Sequence, residues 1–130
     1  MPHPPNRLNT LQAFRYQTKV FALLIKDQDG RVVKLGEAQI FMTVKESAVA
    51  EVALISKSVG NGIEVTGADQ GKARVTLNTN DTGGLAPGTY KYDIWIELPG
   101  DPVERQPVVR AANLEIVQGV TSFPVVGSSP

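Results

Sequence analysis

An all-β domain, built as an antiparallel sandwich or barrel, is the fold class this sequence predicts, and three observations predict it. From Arg15 onward, short runs of β-branched and large apolar residues recur between clusters of Gly, Pro, Asn and Asp, the spacing typical of sandwiches and barrels. Several of these runs alternate apolar and polar side chains, which turns one face inward and the other to water. The 130 residues fit one domain. A chain of that size buries roughly 65% of the surface it exposes when unfolded, so it needs no disulfide or metal staple.

The elements follow in order. Pro2, Pro4 and Pro5 deny regular structure to the start. Residues 1–13 are expected to form an N-terminal arm, 14–121 the β domain and 122–130 a C-terminal tail. Residues 17–26 read as the first strand, closed by DQDG, whose Asp-Gly step suits a tight turn with positive φ at Gly30. Residues 31–35 read as a short return strand. In residues 38–45, Ile40, Met42 and Val44 share the core-facing parity, with Phe41, Thr43 and Lys45 opposite. Residues 47–56 mix helix and strand formers, and their second half, 52–56, is read as strand.

The glycines of GNG at 60–62 turn the chain into a strand at 63–66, and a second turn at 67–71 leads to KARVTLN at 72–78. There Ala73, Val75 and Leu77 are expected inside. A polar loop at 78–84 precedes GGLAPGTYKYDIWIEL, which holds the only tryptophan and two of the three tyrosines. Its Pro87-Gly88 turn delivers a strand at 89–98 with Tyr90, Tyr92, Ile94, Ile96 and Leu98 inward, and Lys91, Asp93, Trp95 and Glu97 outward. After the PGDP loop, residues 106–118 return as the last strand, with a bulge expected around Ala111, Ala112 and Asn113.

Composition narrows the chemistry. Thirteen basic and thirteen acidic residues cancel without forming runs, so there is no electrostatic footprint for nucleic acid or an anionic membrane. The lack of cysteine excludes disulfides, thiolate nucleophiles and cysteine metal sites. No apolar leader and no membrane-length apolar run occurs, which points to a protein made in the cytosol and used there or assembled into something larger. The single histidine, His3, lies in the Pro-rich start without the support a catalytic base requires.

Two carboxylate pairs, Asp27 with Asp29 and Asp93 with Glu97, could serve a hydrolase, but the first pair is what a turn selects and the second what a solvated strand face selects. DQDG departs from a calcium loop at Arg31, while Asn78, Asn80 and Asp81 could supply oxygens to an irregular site. No metal, cofactor or phosphate-binding loop is assigned. Trp95 stands alone on a charged strand face. A subunit or loop contact is favoured there over a sugar platform, since one aromatic without neighbours makes a poor platform.

Three segments carry a family resemblance. DQDGRVVKLGEAQIFMTVK resembles the opening of the N-terminal domain of phage baseplate upper proteins, NDTGGLAPGTYKYDIWIELPGD resembles that family's second landmark, and LEIVQGVT resembles its closing strand. They come in the family's order and span residues 16–121. The resemblance implies an immunoglobulin-like antiparallel β-sandwich that is not an enzyme. It would be a structural component of a bacteriophage virion in the tail, baseplate, neck or fibre attachment, made in the host cytoplasm. Its partners would be other virion proteins and further copies of itself.

On that reading Trp95, Tyr92 and Phe123 are the expected interface anchors and Arg105 and Arg110 their polar partners, residue types enriched at interfaces. A carbohydrate-binding or adhesion module on the same sandwich is the alternative, since fold does not decide function. It requires at least two exposed aromatics side by side.

Overall fold

The structure, a computed structural model, describes residues 10–120. Its strands are β1 (Leu11–Phe14), β2 (Lys19–Leu24), β3 (Gln39–Lys45), β4 (Ile55–Val59), β5 (Gly62–Gly67), β6 (Lys72–Leu77), β7 (Gly88–Leu98) and β8 (Glu104–Val117). A 3-10 turn (Ala68–Gln70) links β5 to β6, and a short α-helix, α1 (Thr79–Gly83), precedes β7.

The strands join in a single sheet, in the order β1-β8-β7-β3-β4-β5-β6-β2, which curls until it nearly closes into a barrel. Leu24 from β2 and Val108 from β8 line the same groove, although only β1 lies beyond β8 at that end of the sheet and β2 is the other end. Neighbouring strands are antiparallel except at two places. β1 runs parallel to β8, and β4 touches β5 in parallel where the chain folds through Gly60 and Gly62, both at positive φ. That backbone is open to glycine at little steric cost. The all-β expectation therefore holds, while the arrangement is one mixed sheet rather than two separate antiparallel layers.

Alternation places the core as expected. β3 buries Ile40, Met42 and Val44, β6 buries Ala73, Val75 and Leu77, and β7 buries Tyr90, Tyr92, Ile94 and Ile96. Leu23, Ile63, Leu114 and Ile116 complete one continuous cluster. Each large side chain so buried contributes about 1.5–3 kcal/mol. The bulge in β8 is also present. Pairing with β7 shifts between Tyr92 and Ile94 and again before Trp95, and Ala111 takes a positive φ of 34°.

Four expectations are corrected. The strand expected at 52–56 begins at Ile55, and Val52 and Leu54 stand exposed in the preceding loop. The return strand at 31–35 reduces to a single bridge between Lys26 and Val32. The polar loop at 78–84 contains α1, because Asn78 accepts from the Asp81 amide and Asp81 accepts from the Asn78 amide, each at 2.8 Å. This reciprocal cap satisfies two orphan donors of the first turn. Finally, residues 11–13 belong to the sheet and not to an arm, with Ala13 fully inside.

The two ends of the curled sheet are held unequally. β1 and β2 are joined by a turn in which the Gln17 amide bonds to the Phe14 carbonyl and Tyr16 takes φ 69°. α1 clamps this turn. Thr82, buried, donates from Oγ1 to the Gln17 carbonyl at 2.7 Å, and the Tyr16 ring lies where a Cβ on Gly83 would stand, 2.3 Å from that point. Arg15 donates from Nε to the Leu85 carbonyl at 3.0 Å. Away from the turn the two ends part into a groove.

Candidate functional site

The outward face of β3, β7 and β8 carries an apolar row. Register sets Phe41 beside Trp95 and Trp95 beside Pro107. Side chains directly opposite on adjacent strands stand about 4.5–5.5 Å apart at Cβ, which sets Phe41 and Trp95 side by side on this face, while Pro107 also lines the groove that Leu24 and Val108 share. Phe41 is 40% and Trp95 37% exposed, large fractions for aromatics at the middle of a sheet. The indole is oriented by its own strand, since Nε1 donates to Asp93 Oδ2 at 3.1 Å.

Beside Trp95 lies a shallow depression of about 290 Å³, with Thr43, Lys45, Ala48, Lys91 and Asp93 among its walls. Lys91 donates from Nζ to Asn113 on the next strand. The loop between β3 and β4, which reaches the depression through Ser47 and Ala48, holds Val49 90% exposed and Val52 in water too.

A second apolar row lies elsewhere. On β2, Val20, Ala22 and Leu24 all face outward and are exposed. β2 is an end strand of the sheet, where exposed apolar side chains invite a partner chain.

The five residues singled out in the sequence are scattered. Trp95 and Arg105 share the outer face, and Arg105 is held there by a 2.8 Å ion pair from Nε to Glu97 Oε1. Tyr92 is corrected. It is 3% exposed and belongs to the core, so it cannot anchor a partner, and burial pushes its phenol up to about 12. Arg110 lines the groove between the sheet ends. Phe123 lies outside the described residues, as does His3.

Three of the four candidate carboxylates, Asp27, Asp93 and Glu97, have a local structural partner. Asp27 accepts from the amides of Asp29 at 2.9 Å and Arg31 at 3.0 Å, closing its own turn. Asp93 is engaged by Trp95 and Glu97 by Arg105. Of the oxygens considered for calcium, Asn78 and Asp81 cap α1, and Asp81 also pairs with Lys57 at 2.7 Å. Among the described residues no three His, Cys, Asp or Glu side chains gather as metal ligands.

Two surface features were not singled out from sequence. Phe41 had the right parity, but which residue of another strand it meets depends on register across a long separation. The β2 row was legible in principle, because residues 20–25 are apolar at both parities. A strand apolar on both sides also fits full burial, and only its place at the end of the sheet shows one side open.

No family model matches the chain, and no curated protein matches it. Among solved structures it is similar to AggA, the major subunit of aggregative adherence fimbriae type I from Escherichia coli. The two are 14% identical over 83% of this chain and 89% of that one, with a TM-score of 0.34.

Proposed function

We propose that this protein is a non-enzymatic structural subunit that works by packing against other proteins, including further copies of itself. The observation that carries the reading is the presence of two apolar surfaces, the Phe41–Trp95 pair on the outer face and Val20–Ala22–Leu24 on β2. Head-to-tail association joins two different patches of identical subunits, whereas a ligand site needs only one. Trp95 and Arg105 are the contact residues of the first surface, the aromatic and guanidinium types enriched at interface centres.

The resemblance to phage baseplate upper proteins is what supports reading that assembly as a virion, put together in the host cytoplasm. Its three landmarks fall on β3, β7 and the end of β8, which are consecutive neighbours in the sheet. The same reading treats the curled sheet as an immunoglobulin-like sandwich whose layers are bonded at the Gly60–Gly62 corner. One local contact supports it. Tyr90, near the start of β7, donates from its hydroxyl to the Ala86 carbonyl at 2.6 Å, in the manner of the tyrosine corner of such sandwiches.

Mixing two blocked variants tests the association. Trp95→Glu disables the outer face and Leu24→Lys disables β2. Head-to-tail contact predicts that the wild type self-associates on sedimentation, that each variant alone is monomeric, and that an equimolar mixture forms a one-to-one dimer. A wild type that stays monomeric at high concentration would overturn self-assembly, and absence of the chain from purified particles by mass spectrometry would overturn the virion role.

A second reading has its own observation. Phe41 beside Trp95, flanked by Asp93 and Lys91, meets the requirement of two adjacent exposed aromatics for a carbohydrate-binding or adhesion face. Titration with surface glycans, followed by Trp95 fluorescence, separates the two. Saturable quenching that Phe41→Ala abolishes favours the sugar, and no response removes it.

A further inference from the structure

The outer rows of β3 and β7 form a ladder whose rungs change character along the strands. Register sets Phe41 opposite Trp95, Thr43 opposite Asp93 and Lys45 opposite Lys91, all on the face turned away from the core. The last rung is the unusual one, because like charges directly opposite on adjacent strands repel and destabilise the pair. Neither ammonium is neutralised. Lys91 Nζ donates to the uncharged Asn113, and neither lysine forms an ion pair among the described residues. Both are half-buried, and both wall the shallow depression beside Trp95. We infer that this depression binds a sugar ring bearing a carboxylate, with the ring on Trp95 and the carboxylate between Lys45 and Lys91. The inference rests on reading the outer face as a sugar site, and adds the charge of the sugar.

Charge is the first argument. The depression holds two ammonium groups against one carboxylate, Asp93, whose Oδ2 already accepts from the Trp95 indole. An ammonium has three donors, and Lys91 spends one on Asn113, so the site keeps donors for an anion. Hydrogen bonds from ammonium to carboxylate are roughly twice as strong as neutral ones. An anion seated there also removes the repulsion between the two lysines.

Geometry is the second. Successive rungs on one face lie about 6.6 Å apart, two residues at roughly 3.3 Å each, so the aromatic and cationic rungs are separated by one polar rung. The side chains of Trp95 and both lysines close that span, since all three wall the same depression. Thr43, Ser47 and the second oxygen of Asp93 lie there too, and suit the hydroxyls of a sugar. The bond from the indole to Asp93 orients the ring in advance, which lowers the ordering cost of stacking. A volume of about 290 Å³ stands at the lower end of ligand sites, which run to about 1,000 Å³, and fits one ring better than a chain. Phe41 stands beyond the indole, outside the depression, and extends its apolar face.

The test uses the methyl glycosides of glucuronic, galacturonic and N-acetylneuraminic acid, each beside its own methyl ester, which keeps the shape and lacks the charge. Each is titrated into the full chain and followed by the fluorescence of Trp95, the one tryptophan. At least one acid should bind at least tenfold more tightly than its ester. Lys45→Gln and Lys91→Gln should each reduce that preference to about twofold, because the charge-assisted bonds are lost, and added salt should weaken the acid alone. Lys34→Gln, which removes an exposed cation outside the depression, should leave the preference intact. Acids and esters that bind alike would keep the sugar reading and overturn the carboxylate. A preference for acid that survives both glutamine variants would place the anion elsewhere and overturn it equally. No response to any member of the set would remove the sugar reading and this inference together.

Discussion

The two ends of the curled sheet are joined at the β1–β2 turn and part along a groove, so one stretch is locked and the other open. At the locked stretch, the β1–β2 turn is fastened by Thr82, by the Tyr16 ring over Gly83 and by Arg15 on the Leu85 carbonyl. At the open stretch, β8 and β2 face each other across a groove lined by Val108, Leu24 and charged side chains. The difference lies in what the chain supplies beside each. α1 brings a buried hydroxyl and a glycine to the turn. The hairpin around Asp27 is occupied with closing itself, its carboxylate spent on the amides of Asp29 and Arg31. Closure of a sheet is thus a local matter, won where a third element spans both edges.

The largest effect should come from filling the one close approach at the locked stretch. Gly83→Ala puts a methyl 2.3 Å from the Tyr16 ring, which is held at a positive φ and has no easy retreat. Overpacking of this kind costs about 1–3 kcal/mol, and denaturant unfolding should show a loss at the upper end of that range. Gly36→Ala, with open space around its Cβ, should change stability by less than about 0.5 kcal/mol. Equal losses at both positions would mean that the turn is not clamped.

Alkali probes the interior between the two stretches. Tyr92 is neutral when folded up to about pH 12, because burial disfavours its phenolate, whereas an unfolded tyrosine ionises near 10. The raised folded value stabilises the protein fully below pH 10, and that contribution is lost as pH rises through 12. At about 1.4 kcal/mol per unit the loss approaches 2–3 kcal/mol. Tyr92→Phe should flatten the stability profile over that window, and its absorbance difference from wild type should develop near pH 12 and not near 10.

A smaller loss follows from Thr82→Val, which keeps the shape of the clamp but leaves the Gln17 carbonyl without its donor. An unsatisfied buried acceptor costs about 1–3 kcal/mol, and here partial solvent access places the loss in the lower half. Hydrogen exchange should rise first in the β1–β2 turn. Exchange rising equally in β6 would show global destabilisation and no local clamp.

The same contrast explains how much was legible in the sequence. β3, β6 and β7 declare themselves by alternation, because each has one side in the core and one in water, and Ile40, Val75 and Ile94 are fully buried as their parity requires. β1 does not, because LQAF is too short to show a period, and its partner lies a hundred residues away in a parallel pairing that no local signal specifies. α1 was signalled by Asn78 and Asp81 at capping-box spacing, but a single turn has no amphipathic repeat to confirm it. The strand at 52–56 was displaced because Val52 and Leu54 are apolar yet exposed, so hydrophobicity there did not mark the core. Trp95 was identified as exposed from parity alone. Its neighbour Phe41 needed the β3–β7 register, which is a tertiary fact.

The smallest effect on stability should come from Arg105, near the open stretch. Its guanidinium pairs with Glu97, but both partners keep access to water, the arginine side chain at 66% of its full exposure. An ion pair of this kind gains little over two hydrated charges and loses side-chain entropy, so measured values cluster at about 0.2–1 kcal/mol. Arg105→Ala should therefore shift the unfolding midpoint by no more than Gly36→Ala does, and added salt should erase what remains. Self-association should respond differently, since an arginine beside Trp95 loses its water when a neighbour covers the face. A variant as stable as wild type but dissociating at least tenfold more readily on sedimentation would separate contact from fold at this residue. Equal dissociation would return the outer face to Trp95 and Phe41 alone.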